Sequence, residues 1–406
     1  MLKQETLQEV MCQVSPQTVV ELCSKLVSIP STSGREEKIA HFLSDHLKTL
    51  GYDIVTMDDM GNVVGRQMLN PGGKRLLFES QMDHVDVRDA IEWSFYPYGG
   101  VVNNGYLCGR GAVDAKGSLA AMIIAGSELK RHAKFLGLSG ELAVACVVNQ
   151  EVAEGVASSK VHELFEPDGV VIGEASNLNI KRGQRGRAEL IIEVQGKSAH
   201  TSLPLSGVNA AEKMVFLLTY IRQHFLPPRH YLLGDGIMVL TDLTTSPSSG
   251  TSVLPDRCVA TFDRRLLSGE TEGQVLEEIS RLISLARDID PDINADVRIS
   301  EDYVECFTGK RIRVKHFASG WFFEESEELV EKALRGLHLA GMEPSLSESG
   351  FGTNGCYYGG IKCIPTISFG PSAEKLAHTK DERLDVDQLI KATQGYMSIA
   401  ASFLEG

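Results

Sequence analysis

Three short apolar runs of strand length each lead into polar sequence that carries carboxylates. That pattern constrains the fold of this chain more than any other feature. The runs are Leu76-Leu77-Phe78, Leu142–Val148 and Gly169–Gly173, the last reading Gly-Val-Val-Ile-Gly. Between the first two, Ser118–His132 has helical spacing, with apolar Leu119, Met122, Ile123, Ile124 and Leu129. Buried strands separated by helices predict βαβ units, hence an α/β fold with a mixed, mainly parallel sheet flanked by helices.

The pattern changes near Lys181. Arg187–Gln195 alternates like a strand with one solvated face, Val208–Phe225 reads as a helix, Arg257–Arg265 as a strand and Glu272–Ile289 as a second amphipathic helix. These form a separate α+β unit. After about Ala295 the sequence looks loop-rich, and the Glu327–Ala340 helix and Ile364–Phe369 strand then return to the first pattern. The expectation is a discontinuous domain, 1–180 and 296–406, with an inserted domain at 181–295.

A chain of 406 residues has room for two or three cores. Its net charge of −14 disfavours nucleic acid and anionic membrane surfaces as partners. Eight scattered cysteines include no C-x-x-C pair, which fits a reduced cytoplasmic protein. Met1–Pro16 lacks the apolar stretch of a signal peptide, and no run approaches the length of a transmembrane helix.

Five segments carry the chemistry. Gln81-Met-Asp-His-Val-Asp-Val87 follows a strand and offers His84 and Asp86, a histidine with a carboxylate two residues on. Such a carboxylate can fix the orientation of a ligating imidazole. Gly109-Arg-Gly-Ala-Val-Asp-Ala-Lys-Gly117 places Asp114 between glycines, before a helix; it reads either as a helix cap or as a carboxylate bridging two cations. Val147-Val-Asn-Gln-Glu-Val-Ala-Glu-Gly155 and Val170-Val-Ile-Gly-Glu-Ala-Ser176 run from apolar strands into Glu151 and Glu174. Carboxylates there cost free energy unless paired or metal-bound. Ala377-His378-Thr-Lys-Asp-Glu382 completes the set.

With these strings in place, the chain resembles the metallopeptidases and deacylases typified by aminoacylase, acetylornithine deacetylase, succinyl-diaminopimelate desuccinylase and glutamate carboxypeptidase. H-x-D, G-R-G-x-x-D-x-K-G, the acidic pair before a glycine, the strand-end Glu, G-x-x-A-H and the final A-H fall in the family's order. Arg182-Gly-Gln-Arg-Gly-Arg187, Asp263-Arg-Arg265, Phe351-Gly-Thr-Asn-Gly355 and Phe369-Gly-Pro371 are most similar to its YgeY-type hydrolases. The resemblance implies a zinc-peptidase-like catalytic domain with an inserted lid and dimerisation domain, and hence a homodimer. It implies two divalent metal ions, zinc first, with manganese or cobalt compatible with similar ligands. Asp114 would bridge them, His84 and Glu174 would complete one site, and Glu151 and His378 the other. Asp86 would orient His84, and His200 in Gly196-Lys-Ser-Ala-His200 would stabilise the oxyanion. Arg265 and Asn354 would sit near a substrate carboxylate, although structural ion pairing of Arg265 is an equal reading. Arg185, Arg187 and Arg264 are either anion-recognition groups or solvated charges. A cis peptide is implied at Asp114–Ala115.

One position departs from that pattern. Gln150 stands where the family has a glutamate as general base, and an amide has no basic site near neutral pH. General acid–base assistance is worth about 10²–10⁴-fold. A shifted reading remains open, with Glu151 as the base and Glu154 supplying the missing ligand. The activity implied is metal-dependent hydrolysis of an amide or related C–N bond in a small molecule, such as an N-acyl amino acid or dipeptide, impaired at Gln150. The alternative is a catalytically silent ligand-binding member, and Gln150 itself is either an engineered or a natural substitution. A purely structural protein is a third reading.

Overall fold

The computed structural model describes residues 2–87, 90–248 and 252–406. Two compact units emerge: residues 1–184, 303–312 and 321–406 form the first, and residues 185–302 and 313–320 the second.

The first unit is built on a nine-stranded mixed sheet. Four adjacent strands at its centre are parallel: Ser139–Val147, Asn70–Gln81, Gly169–Gly173 and Thr366–Phe369. All four are buried in their C-terminal halves, as expected of parallel strands covered on both faces. Helix Gly117–Leu136 packs on the two longest of them and against helices Pro16–Val27 and Val386–Phe403. Met122, Ile123, Ala125 and Leu129 of that helix are fully buried. Helix Pro16–Val27 starts at a Ser15 cap with proline in its first turn, an arrangement that satisfies one orphan N–H and needs no other there.

The sheet register fixes the site. Gln81 pairs with Val147, Glu79 with Ile172 and Phe369 with Gly173. The segments after these four strands therefore leave from one edge, the carboxyl edge, where ligands collect in open α/β sheets. Gln81 ends its strand there, and Gln150–Glu151, Glu174 and His378 lie on the segments that follow the other three.

The second unit has an all-antiparallel sheet, ordered Ile237–Ser246, Arg257–Leu266, Gly186–Gln195, Asn294–Ile299, with Phe317–Ala318 also paired to Gly186–Gln195. Gly186–Gln195 alternates buried and half-buried, and Leu190, Ile192 and Val194 pack with Met214 and Leu217 of one helix and Val275 and Ile279 of another. The second helix, Glu272–Ile289, starts with a capping box between Thr271 and Gln274.

The unit boundaries differ from the sequence expectation, for reasons of pairing. Ile180–Gln184 joins the large sheet beside Thr366–Phe369 and Trp321–Phe322, so residues 181–184 stay in the first unit. Asn294–Ile299 pairs with Gly186–Gln195, so the second unit runs past 295. The stretch expected to be loop-rich contains strands Asn294–Ile299, Glu301–Glu305 and Arg311–Lys315. Their polar residues mask the alternation because each strand has an exposed face.

Candidate metal centre

Asp114, Glu151 and His378 meet at the carboxyl edge of the large sheet. His378 Nε2 lies 3.0 Å from Asp114 Oδ2 and 3.2 Å from Glu151 Oε2. One ligand atom from each lies within 4.8 Å of the others. Three chain segments remote in sequence supply them, so the cluster is a product of the fold. The imidazole sits between two carboxylates that hold its proton, and its pKa is raised to about 10 by the hydrogen bonds to Asp114 and Glu151. Burial pushes the Glu151 carboxyl up; His378 partly reverses this and the Asp114 charge adds to it. Binding of a divalent cation by such a set is coupled to release of the ligands' protons.

Local structure holds these side chains. The Asp114–Ala115 peptide is cis, as the resemblance implies. Glu382 Oε1 accepts from Val113 N at 2.8 Å and Asp114 N at 3.3 Å, while its Oε2 accepts from Arg110 Nη1 at 2.7 Å. Asp83 does the same for the next segment. Its carboxylate is fully buried and accepts from Gln150 N at 3.1 Å, Glu151 N at 3.2 Å and Ser33 Oγ at 2.7 Å. Burial raises its pKa to about 6, offset in part by those donors. Gly370 passes so close to the Glu174 backbone that a Cβ would lie 2.4 Å from the Glu174 carbonyl oxygen; only glycine allows that approach.

Glu174 is buried next to this cluster. Burial first, then the charges of Asp114 and Glu151, push its carboxyl well above the usual range. Neither carboxylate oxygen has a hydrogen-bond partner of ordinary geometry, although the Gln81 amide offsets part of the rise. Gln81 Nε2 donates to Asp114 Oδ1 at 2.6 Å.

His84 does not take the place expected of it. It lines the same cavity as Glu151 and His378, but both ring nitrogens are committed. Nε2 accepts from Ser31 N at 3.0 Å and Nδ1 faces Val85 O at 2.9 Å. Burial and the nearby Lys116 charge lower its pKa to about 3. Asp86 does not orient it: the Asp86 carboxylate accepts from Val87 N at 2.8 Å. The residue that reaches Asp114 from this segment is Gln81, at the strand end. Gln81-x-Asp83 has the same spacing as His84-x-Asp86, and the end of the apolar run was the signal that could have selected it.

The other expected residues divide. Asn354 is buried, and its Oδ1 accepts from Gly155 N at 2.8 Å, so it ties down the turn after Glu151. Glu154 packs against Gly352 and does not join the three-residue cluster. In the second unit, Arg265 Nε lies 3.0 Å from Asp263 Oδ1 and Arg187 Nε lies 2.7 Å from Asp263 Oδ2. Arg264 is buried between Glu270 and Glu278, each at 2.6 Å. His200 is exposed, and its Nδ1 accepts from Ser202 N at 3.1 Å, which leaves Nε2 as the proton-bearing nitrogen of the neutral ring.

The chemistry of the donors fits one cation at Asp114, Glu151 and His378. The second position expected from His84 and Glu174 lacks its nitrogen ligand. The cavity beside the cluster measures about 610 Å³ and is lined in part by Thr32, Asp86, Trp93, Arg110 and Lys380. Its size suits a small molecule. No helix among the described residues is long and apolar enough to cross a membrane.

A family profile described as Peptidase family M20/M25/M40 matches residues 77–402. The chain is 32% identical over 388 residues to a protein of Escherichia coli strain K12 described as uncharacterized protein YgeY, covering 93% of each. It is 29% identical over 384 residues to LysW-lysine hydrolase of Deinococcus radiodurans, covering 93% of this chain and 94% of the relative. Among solved structures, the Bacillus subtilis YXEP protein, described as a dinuclear metal binding peptidase, superposes with a TM-score of 0.71 at 14% identity, covering 96% of this chain and 98% of that one. At that identity the likeness speaks to the fold alone.

Proposed function

This chain belongs to peptidase family M20/M25/M40, a family of metal-dependent hydrolases of amide bonds, and from that premise we propose that it acts on a small N-acyl amino acid, dipeptide or related amide at the Asp114–Glu151–His378 centre. The observation that carries the reading is the convergence of these three side chains, from three segments remote in sequence, on one point. A divalent ion bound there supplies Lewis acidity and lowers the pKa of water. Zinc suits a set of one imidazole and two carboxylates, and manganese or cobalt accept the same set.

The chain's own residues do the rest. Asp83 anchors the Gln150–Glu151 backbone, and Glu382 anchors that of Asp114. Gln150 stands at the position of the general base and cannot take a proton from water near neutral pH. Hydrolysis by the chain as it stands is therefore slow, and substrate binding outlasts turnover. His200 is the proposed donor to the developing oxyanion; its Ser202-accepting Nδ1 supports this by leaving a proton on Nε2. Arg265 remains the proposed carboxylate-binding group, since more than a third of its side chain is exposed and its planar fork matches a carboxylate.

Two further readings have support. Strand Ile237–Ser246 lies at the edge of its sheet and exposes Val239, Leu240 and Leu243, which favours pairing with a second copy of the chain through the second unit. The cysteines of the described structure are all unpaired thiols, which favours a reducing, cytoplasmic location.

The test is ligand retention. The zinc-equilibrated protein is incubated with a panel of N-acyl amino acids and dipeptides, desalted and analysed by mass spectrometry. An intact small amide is expected to stay with the chain and to be lost with His378→Ala. Equal retention by that variant would refute the site.

A further inference from the structure

We infer that this centre holds one divalent ion per chain and that the Gln81 amide takes the place of a second. The inference rests on reading the Asp114 cluster as a hydrolase's metal centre. A carboxylate that bridges two cations must offer one oxygen to each. In Asp114 the two oxygens are already divided. Oδ2 faces His378 at 3.0 Å, on the side of the three-ligand cluster. Oδ1 accepts from Gln81 Nε2 at 2.6 Å. The NH₂ end of the amide must face Asp114, because two oxygens at that distance would repel.

The sheet holds Gln81 in that position. Glu79 pairs with Ile172 in a parallel register, and two residues further along both strands come Gln81 and Glu174. Gln81 is 1% exposed and Glu174 2% exposed. The amide is therefore confined between the two carboxylates that a second cation would need. A second ion would have to displace the hydrogen bond and would gain no imidazole, because both nitrogens of His84 are committed elsewhere. A neutral amide bridge satisfies Asp114 Oδ1 without adding positive charge. It leaves Glu174 as a buried carboxyl whose oxygens have no partner of ordinary geometry.

The test is metal stoichiometry, which does not depend on turnover. Protein is equilibrated with zinc, freed of excess by gel filtration and measured by plasma mass spectrometry; a parallel sample takes manganese for electron paramagnetic resonance. The unaltered chain is expected to carry one ion and to show an isolated manganese signal. Glu174→Gln should leave the count at one, and Gln81→His should raise it to two. Two ions in the unaltered chain, a coupled manganese pair, or a count that stays at one in folded Gln81→His would overturn the inference. The first two measurements need no substitution, so a Gln81→His chain that fails to fold leaves the inference exposed to refutation. No ion at all in either chain would instead overturn the reading of a metal centre.

Discussion

Gln81 Nε2 donates to Asp114 Oδ1 at 2.6 Å, so a neutral amide occupies one face of the carboxylate that anchors the centre. Gln150 is a second amide, one residue before Glu151. Both can form hydrogen bonds, but neither offers a basic atom near neutral pH. On the proposed reading the two positions affect different properties: Gln81 the number of ions bound, and Gln150 proton transfer. They can therefore be tested separately.

Gln150→Glu should restore a general base without altering metal content. Turnover of a retained substrate is expected to rise by about 10²–10⁴-fold, read by steady-state hydrolysis beside metal analysis. A folded, metal-loaded variant that binds the same substrate and stays silent would refute the assignment.

Asp83→Ala should weaken metal binding without touching a ligand. Its carboxylate holds the Gln150 and Glu151 backbones, and groups that orient ligands commonly control about 10–100-fold in affinity. Zinc competition titration should show that loss, with the circular dichroism spectrum retained. Unchanged affinity would mean that the turn is held by other contacts.

Glu382→Ala should destabilise the first unit. Arg110 and Glu382 form a buried pair with side chains 6% and 0% exposed. Removing one partner strands the other charge at a cost of about 3–5 kcal/mol, and Val113 N and Asp114 N also lose their acceptor. A urea midpoint within error of the unaltered chain would contradict this account.

Glu79 should make stability fall with pH. Burial raises its pKa from 4.5 to about 7, against the Ser158 and Tyr358 hydrogen bonds that lower it. Between those values the folded chain keeps a proton that the unfolded chain releases. The favourable contribution is therefore complete below pH 4.5 and lost as pH rises through about 7. By pH 8 the charged form costs up to about 3 kcal/mol. Glu79→Gln should shrink the drop in urea midpoint between pH 5 and pH 8. An identical drop in both chains would show that other groups set it.

Local signals made much of the architecture readable. The apolar runs at Leu76 and Gly169 lie inside strands Asn70–Gln81 and Gly169–Gly173, the run Leu142–Val148 passes the end of strand Ser139–Val147 by one residue, and the helix at Ser118 lies inside Gly117–Leu136. Glu272–Ile289 has the predicted limits. Strand Ile237–Ser246 and helix Val386–Phe403 carried weaker signals. The strand is exposed along most of its length, so it shows no buried face. The last half of the helix is buried on all sides, so it shows no amphipathic stripe.

The sequence by itself determined where the buried strands fall along the chain, with Glu151 and Glu174 in the residues that follow two of them and Asp114 in a glycine-rich turn before a helix. Strand-forming runs and the residues that follow them are neighbours in the chain, so no tertiary knowledge is needed to associate them. Only the tertiary structure decided which of two equally spaced frames faces the centre. Gln81-x-Asp83 and His84-x-Asp86 look alike in sequence, but the strand ends at Gln81, and its register beside Val147 aims that side chain at Asp114. Three residues later the backbone has left the sheet, and the His84 ring is held by Ser31 and Val85. The direction of a side chain at a strand end is set by hydrogen bonds to neighbouring strands, and those neighbours are distant in sequence.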